Sequence, residues 1–316
     1  MSEPVLAIVA GGGLVAEVRA AMQRRGLSQA AAAREIGVSP AALSQWLSGT
    51  YGGDSAAIAA KAARWLEAGT ARGALLERLP EAPAWVATST AARIHAALTQ
   101  AQIAPEIAVV FGGAGAGKTV AARRYAATRP NVGLVEASPA TRALGPCLER
   151  VAGAVGARPS SSRPAAVEAA LLDRLVGTRG LIVVDEAQHL SLRALDGLRS
   201  LHDRGEVGLA LLGGEPLYTR LHGRRAAETA QLTSRIGRRV RLSQTAAGDA
   251  EALLGAWDEI EIEAPAKRRA VEIANRPGGL RALVKSMRLA ALYARGEAVG
   301  ERHVTAAWRD LGGGSD

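Results

Sequence analysis

A chain of 316 residues has room for two or three domains that each bury a core. A single cysteine, Cys147, excludes an intrachain disulfide framework; the apolar run Val5–Ala10 has no basic residues before it, and no run reaches the ~18–20 residues of a membrane span, so the expectation is a soluble protein with no membrane partner, in the (host) cytoplasm. The formal charge is +9 and the cation is nearly all arginine, with lysine only at Lys61, Lys118, Lys267 and Lys285; a guanidinium surplus over Asp and Glu suits phosphate backbones and points to nucleic acid.

Abundant alanine and a single phenylalanine favour helices with small-residue packing. Leu14–Arg25 reads as a helix that Gly26 breaks. Ser28 caps Gln29–Glu35, Gly37 ends it, and Ser39-Pro40 supplies an N-cap and a proline at N1 for Ala41–Leu47. Two short helices joined by Gly37-Val38-Ser39 have the layout of a helix-turn-helix. The run LSQAAAAREIGVSPAALSQWLSG resembles the repressor-type helix-turn-helix family. That resemblance implies that Ser44 and Gln45 face base edges, that Ala41 and Ala42 open the reading helix, and that Trp46-Leu47 anchor the core. This helix carries no Arg or Lys, which argues against a sequence-specific grip. Residues 67–84 mix Gly, Pro and charge without clear periodicity and read as a linker, and Trp85 to Gln102 reads as a helical approach to the next domain.

The apolar run Ile107–Phe111 then delivers Gly112, Gly113, Ala114, Gly115, Ala116, Gly117, Lys118 and Thr119, a G-x-x-x-x-G-K-[ST] loop leaving a buried strand. Its glycines let successive backbone N–H groups point at phosphate oxygens. Lys118 adds a point charge for the β- and γ-phosphates, Thr119 offers a hydroxyl to Mg²⁺, and Val120 opens a helix whose N-terminus faces the anion. The expected ligand is ATP or GTP. Further strands are expected at Val132–Glu136, Gly180–Val184 and Gly208–Leu212, with helices at Ala165–Val176 and Leu192–Asp203: an α/β pattern with a parallel sheet. Leu181-Ile182-Val183-Val184 ends in Asp185-Glu186, which puts Asp185 at the carboxyl edge of a buried strand to organise Mg²⁺ and Glu186 where it polarises water. After the fourth strand Arg235 ends a helical stretch, with Arg238 and Arg239 beyond it, and is placed to act on a neighbouring subunit's γ-phosphate. Arg281 follows Arg276-Pro277-Gly278-Gly279 at the start of a helix and is placed to contact the nucleotide. Residues 244–312 read as helices Ala250–Asp258, Pro265–Asn275, Leu280–Arg295 and His303–Leu311, with Lys267-Arg268-Arg269 as a solvated face.

Taken together these residues resemble the AAA+ ATPase superfamily, and with the helix-turn-helix upstream they are similar to the Mu-type phage transposition protein B family. The carriers are YGGD…ARWLEA at 51–68, VVFGGAGAGKTVAARRY at 109–125, GTRGLIVVDEAQHL at 177–190, GLALLGG at 208–214, SRIGRR at 234–239 and RPGGLRAL at 276–283. The resemblance implies a P-loop parallel sheet with a helical lid, preceded by a small all-α domain: helix-turn-helix 1–66, linker 67–84, nucleotide domain 85–243 and lid 244–316. It implies an ATP- and Mg²⁺-dependent ATPase stimulated by DNA and transposase. Such a protein binds duplex DNA largely without sequence preference, assembles as a helical filament of copies of itself, captures target DNA and activates a DDE-type transposase. Lys118 and Thr119 become the Walker A pair, Asp185 and Glu186 the Walker B pair, Arg235 the finger and Arg281 the second sensor. One departure is plain: the first sensor, ordinarily a polar side chain at the end of the fourth strand, falls on Gly214, with Glu215 next. Arg142, Arg163 and Arg123 are placed by position alone as DNA contacts. Alternatives are an ATP-switched helix-turn-helix regulator and a helicase-loader-like replication ATPase.

Overall fold

Serine caps and left-handed glycines punctuate the first helices where the sequence places them. The computed structural model describes residues 13–77, 79–222, 229–242 and 247–314, so Val5–Ala10 lies outside the described residues. The chain divides into two compact units between Leu79 and Pro80. In the first, α1 (Gly13–Arg24) is followed by α2 (Gln29–Ile36) and α3 (Pro40–Ser48). Ser28 Oγ accepts from the Ala31 N–H and Ser39 Oγ from the Ala42 N–H, while Gly37 and Gly49 close the two helices at φ 78° and 75°. Val18, Ala32, Ala33, Leu43, Trp46 and Leu47 close the core together with Ile58 and Ala62 of α4 (Ser55–Glu77). The stretch from 67 was expected to be a linker, yet α4 runs through it to Glu77. Alanine at nine of its positions after Ser55 sustains the helix, and propensity outweighs Gly69 and Gly73.

The second unit is built on a five-stranded parallel sheet, order β2-β3-β4-β1-β5. The strands are β1 (Ile107–Gly112), β2 (Val132–Glu136), β3 (Leu181–Asp185), β4 (Gly208–Gly213) and β5 (Ile236–Leu242). The inner strands β1, β3 and β4 are buried throughout, which is why each reads as an unbroken apolar run. Their side chains sort by the strand period of two. Ile107, Val109, Phe111, Ile182, Val184, Leu209 and Leu211 join α7 (Leu144–Val155), α8 (Pro164–Leu175) and α9 (Leu192–Gly205) in one core. Ala108, Val110, Leu181, Val183, Ala210 and Leu212 join α5 (Ser89–Ile103) and α6 (Lys118–Thr128) in another.

Two elements depart from the sequence reading. Residues 236–242 form the edge strand β5, which was not anticipated beyond the helical stretch that ends at Arg235; Ile236, Val240 and Leu242 are buried while Arg239 and Arg241 face outward. Helix α7 was not anticipated, because Gly145, Pro146 and Gly153 dilute its pattern, yet Cys147, Leu148, Val151 and Ala152 form one buried face. Burial raises the Cys147 thiol to about 11, so it packs as a small apolar group.

After α10 (Glu215–His222) and the short α11 (Ala230–Thr233), the helices α12 (Ala247–Gly255), α13 (Ala264–Ala274), α14 (Gly279–Ala294) and α15 (Glu301–Asp310) enclose a third core around Ala270, Ile273, Leu283, Met287, Ala290 and Val304. A buried carboxylate ties this bundle to the sheet: Asp249 of α12 accepts from the Ser89 N–H at 2.9 Å, the Ser89 hydroxyl at 2.8 Å and the Thr90 N–H at 3.4 Å, at the N-terminus of α5. Among the described residues no helix is long and apolar enough to cross a membrane. Replacing Asp249 by Ala strands these donors, and is expected to lower the unfolding free energy by about 2–3 kcal/mol in urea titration; an unchanged midpoint would show that the clasp contributes nothing.

Candidate active site

All five strands run the same way, so the turns after β1, β3 and β4 emerge on one edge of the sheet. There the loop after β1 leads into α6, and Thr119 Oγ1 donates to Asp185 Oδ2 at 2.5 Å. The Lys118 ammonium, 8 % exposed, donates to the Gly112 and Gly113 carbonyls at 2.9 Å each. Its pKa is lowered: burial is the main cause, the Arg281 charge acts the same way, and the carboxylates of Asp185 and Glu186 oppose both. Asp185 is 2 % exposed, and its second oxygen accepts from the Glu186 N–H at 2.9 Å. Glu186 itself sits at φ 53°, a left-handed conformation a non-glycine residue adopts only under constraint.

The lid closes directly on the loop. The Leu280 N–H of α14 donates to the Gly115 carbonyl at 3.1 Å. Gly115 has φ +81°, and a Cβ there would lie 1.8 Å from the Gly278 carbonyl oxygen, so the approach requires glycine. The first turn of α14 therefore abuts the loop, and the Arg281 charge is felt at Lys118.

The structure thus brings Lys118, Thr119, Asp185, Glu186 and Arg281 to one edge, with Gly112, Gly113, Ala114, Gly115, Ala116 and Gly117 as the loop and Val120, exposed, in the first turn of α6. It does not bring Arg235. The Arg235 carbonyl accepts from the Ile107 N–H at the opening of β1, at the opposite edge of the sheet, roughly 20 Å away at about 3.3 Å per residue. Its guanidinium bonds Asp203 Oδ1 at 2.5 Å and the Gln231 carbonyl at 2.6 Å. Arg238 donates to Gln100 Oε1 and Arg239 to the Thr233 carbonyl. Arg142 is exposed after β2, Arg163 is exposed at the N-cap of α8, and Arg123 is exposed on α6 with Glu136 at 3.5 Å. Ser44 and Gln45 are exposed on α3, and Lys267 and Arg268 on α13. Glu215 is turned to Arg241 of β5, Nε to Oε1 3.2 Å, rather than to Glu186. The side chain that does reach Glu186 is Gln188, from the 3-10 turn Ala187–His189. Sequence reasoning passed over it because a glutamine after Asp-Glu carries no spacing signal of its own.

A phosphate loop leaving the middle of a parallel sheet, an Asp-Glu pair on the same edge and a helical lid on the loop define an ATPase of the AAA+ class. Family models match in register with this architecture: a helix-turn-helix over residues 18–53, an AAA domain over 103–221, and the C-terminal part of the Mu B transposition protein over 234–311. The chain belongs to the Mu B transposition protein family. It is 36% identical over 285 residues to the ATP-dependent target DNA activator B of Escherichia phage Mu, covering 88% of each protein. It is 35% identical over 262 residues to the Mu-like prophage FluMu DNA transposition protein B of Haemophilus influenzae, covering 82% of this chain and 90% of that one. Among solved structures, domain III of the Thermotoga maritima replication initiation protein DnaA shares the fold, with a TM-score of 0.51 at 13% identity, over 72% of this chain and 94% of that one.

The depressed Lys118 has a consequence for binding. A triphosphate favours the charged ammonium and raises its pKa again, so binding takes up a proton and affinity falls as pH climbs through the depressed value. Calorimetry of ATP binding at alkaline pH, in buffers of different ionisation enthalpy, is expected to show proton uptake that Lys118→Arg abolishes; no uptake in the wild type would contradict this.

Proposed function

We propose that this protein is an ATP-dependent DNA-binding ATPase that assembles along duplex DNA, holds it as a transposition target and activates a transposase. The observation that carries the reading is the Thr119–Asp185 contact beside Lys118 and Glu186, in a chain so similar along its length to proteins named as ATP-dependent target DNA activators. The donor set suits Mg²⁺, since a hydroxyl and a carboxylate are hard oxygen ligands of the kind that share this cation with phosphates and water. Among the described residues no cluster of three or more His, Cys, Asp and Glu stands ready as an all-protein metal cage. On this reading Thr119 and Asp185 hold Mg²⁺, which neutralises charge on the β- and γ-phosphates when bound. Lys118 turns from the Gly112 and Gly113 carbonyls to the phosphates. Glu186 accepts the proton of a water whose oxygen bonds the γ-phosphorus, while the bond from that phosphorus to the β–γ bridging oxygen breaks and ADP leaves with the electron pair. Arg281 acts from the lid, and Arg235, remote from its own loop, serves the site of the next subunit.

DNA binding follows from charge and repetition rather than from sequence readout. The reading helix α3 presents Ser44 and Gln45 without a basic residue, which suits sequence-indifferent contact and disfavours an operator-specific regulator. An array of subunits multiplies weak phosphate contacts into avidity. Electron microscopy on duplex DNA is expected to show helical filaments with ATP and none with ADP, and binding with ATP is expected to weaken at least tenfold between 50 and 200 mM salt, on the order set by several phosphate contacts. Equal occupancy with and without nucleotide would overturn the reading.

A further inference from the structure

We infer that Gln188 positions the Glu186 carboxylate for hydrolysis and couples it to the end of β4, where this chain has Gly213-Gly214 in place of a polar side chain. The Gln188 amide nitrogen donates to Glu186 Oε2, and its amide oxygen accepts from the Gly214 N–H at 3.2 Å. The orientation of the amide is dictated by its partners, because a carboxylate only accepts and a backbone N–H only donates. Space at the end of β4 is shaped to this side chain: a Cβ on Gly213 would lie 2.4 Å from Gln188 Oε1. Glu215, the next carboxylate along, is engaged with Arg241. Among the described residues Gln188 is the hydrogen-bond donor to the Glu186 side chain.

The juxtaposition has a chemical meaning. Glu186 takes the proton of the attacking water, so its carboxylate must be held in one place while the γ-phosphorus–oxygen bond forms and the bond to the bridging oxygen breaks. A side chain with three free torsions does not hold itself there. Gln188 acts through Glu186 and not on the nucleotide; it is a positioning residue, and its amide carries to Glu186 any displacement of the β4 end.

The test is steady-state hydrolysis of ATP by the full chain on duplex DNA, for Gln188→Ala and the nearly isosteric Gln188→Glu, beside binding of a fluorescent ATP analogue and thermal unfolding. Gln188→Ala is expected to lower kcat by roughly 10–100-fold, the order that misplacing a reacting group costs, with analogue affinity within about threefold and an unchanged melting temperature. Gln188→Glu keeps the volume but, ionised, has no proton to donate and repels the Glu186 carboxylate. It is expected to lower kcat at least as far as Gln188→Ala, again with analogue affinity within about threefold, because a filled volume does not replace the hydrogen bond. A merely structural glutamine tolerates this near-isosteric change with kcat intact. Wild-type kcat in either variant would overturn the assignment; a wild type without ATPase activity would instead strike at the class of the protein.

Discussion

The hydrogen bond from Thr119 to Asp185 is the contact on which the rest of the site depends. It joins the first turn of α6 to the tip of β3 across the intervening strand β4, and it exists because a parallel sheet delivers every strand end to one edge. The inner strands are covered on both faces and paired along both sides, so the two ends are held where they meet. Lys118 is buried beside this contact. Its ammonium is costly there, and the Gly112 and Gly113 carbonyls together with two carboxylates keep it tolerable. A polyanion that recruits this lysine relieves the same cost, which makes the site responsive to nucleotide rather than a passive cleft.

The lid meets the loop through backbone contacts. Leu280 bonds the Gly115 carbonyl and Gly278 crowds the same glycine, so the start of α14 lies against the phosphate loop. At its other end the bundle is held to α5 by the buried Asp249. The bundle thus meets the sheet and its loop at two places, Asp249 and Gly115.

Much of this was legible in the sequence, and the reason is burial. Strands β1, β3 and β4 announce themselves as apolar runs because both faces are covered, and the glycine spacing at 112–117 with Lys118-Thr119 admits few readings. Serines 28 and 39 with Gly37 marked the first helices because caps are local chemistry. What escaped was set by tertiary context. Strand β5 buries only one face, so Arg238, Arg239 and Arg241 interrupt its pattern and it resembles a basic tail. Helix α7 hides behind Gly145, Pro146 and Gly153, and α4 continues on alanine propensity where glycines suggested a linker. Gln188 gains its meaning only when a 3-10 turn folds it back against Gly214, a contact that no linear spacing encodes.

The opposite edge of the sheet completes the account. Arg235 opens β5 there, in contact with Asp203, and is separated from its own loop by the length of the strands. The proposed service of Arg235 to the next subunit's site would make hydrolysis depend on assembly as well as on nucleotide. The most direct measurement is complementation of hydrolysis on duplex DNA. Lys118→Ala and Arg235→Ala proteins are each expected to be inactive alone, and mixing them is expected to restore activity at boundaries where one subunit supplies Lys118 and its neighbour Arg235. A mixture as inactive as its components, with both variants folded and still assembling, would contradict a shared site.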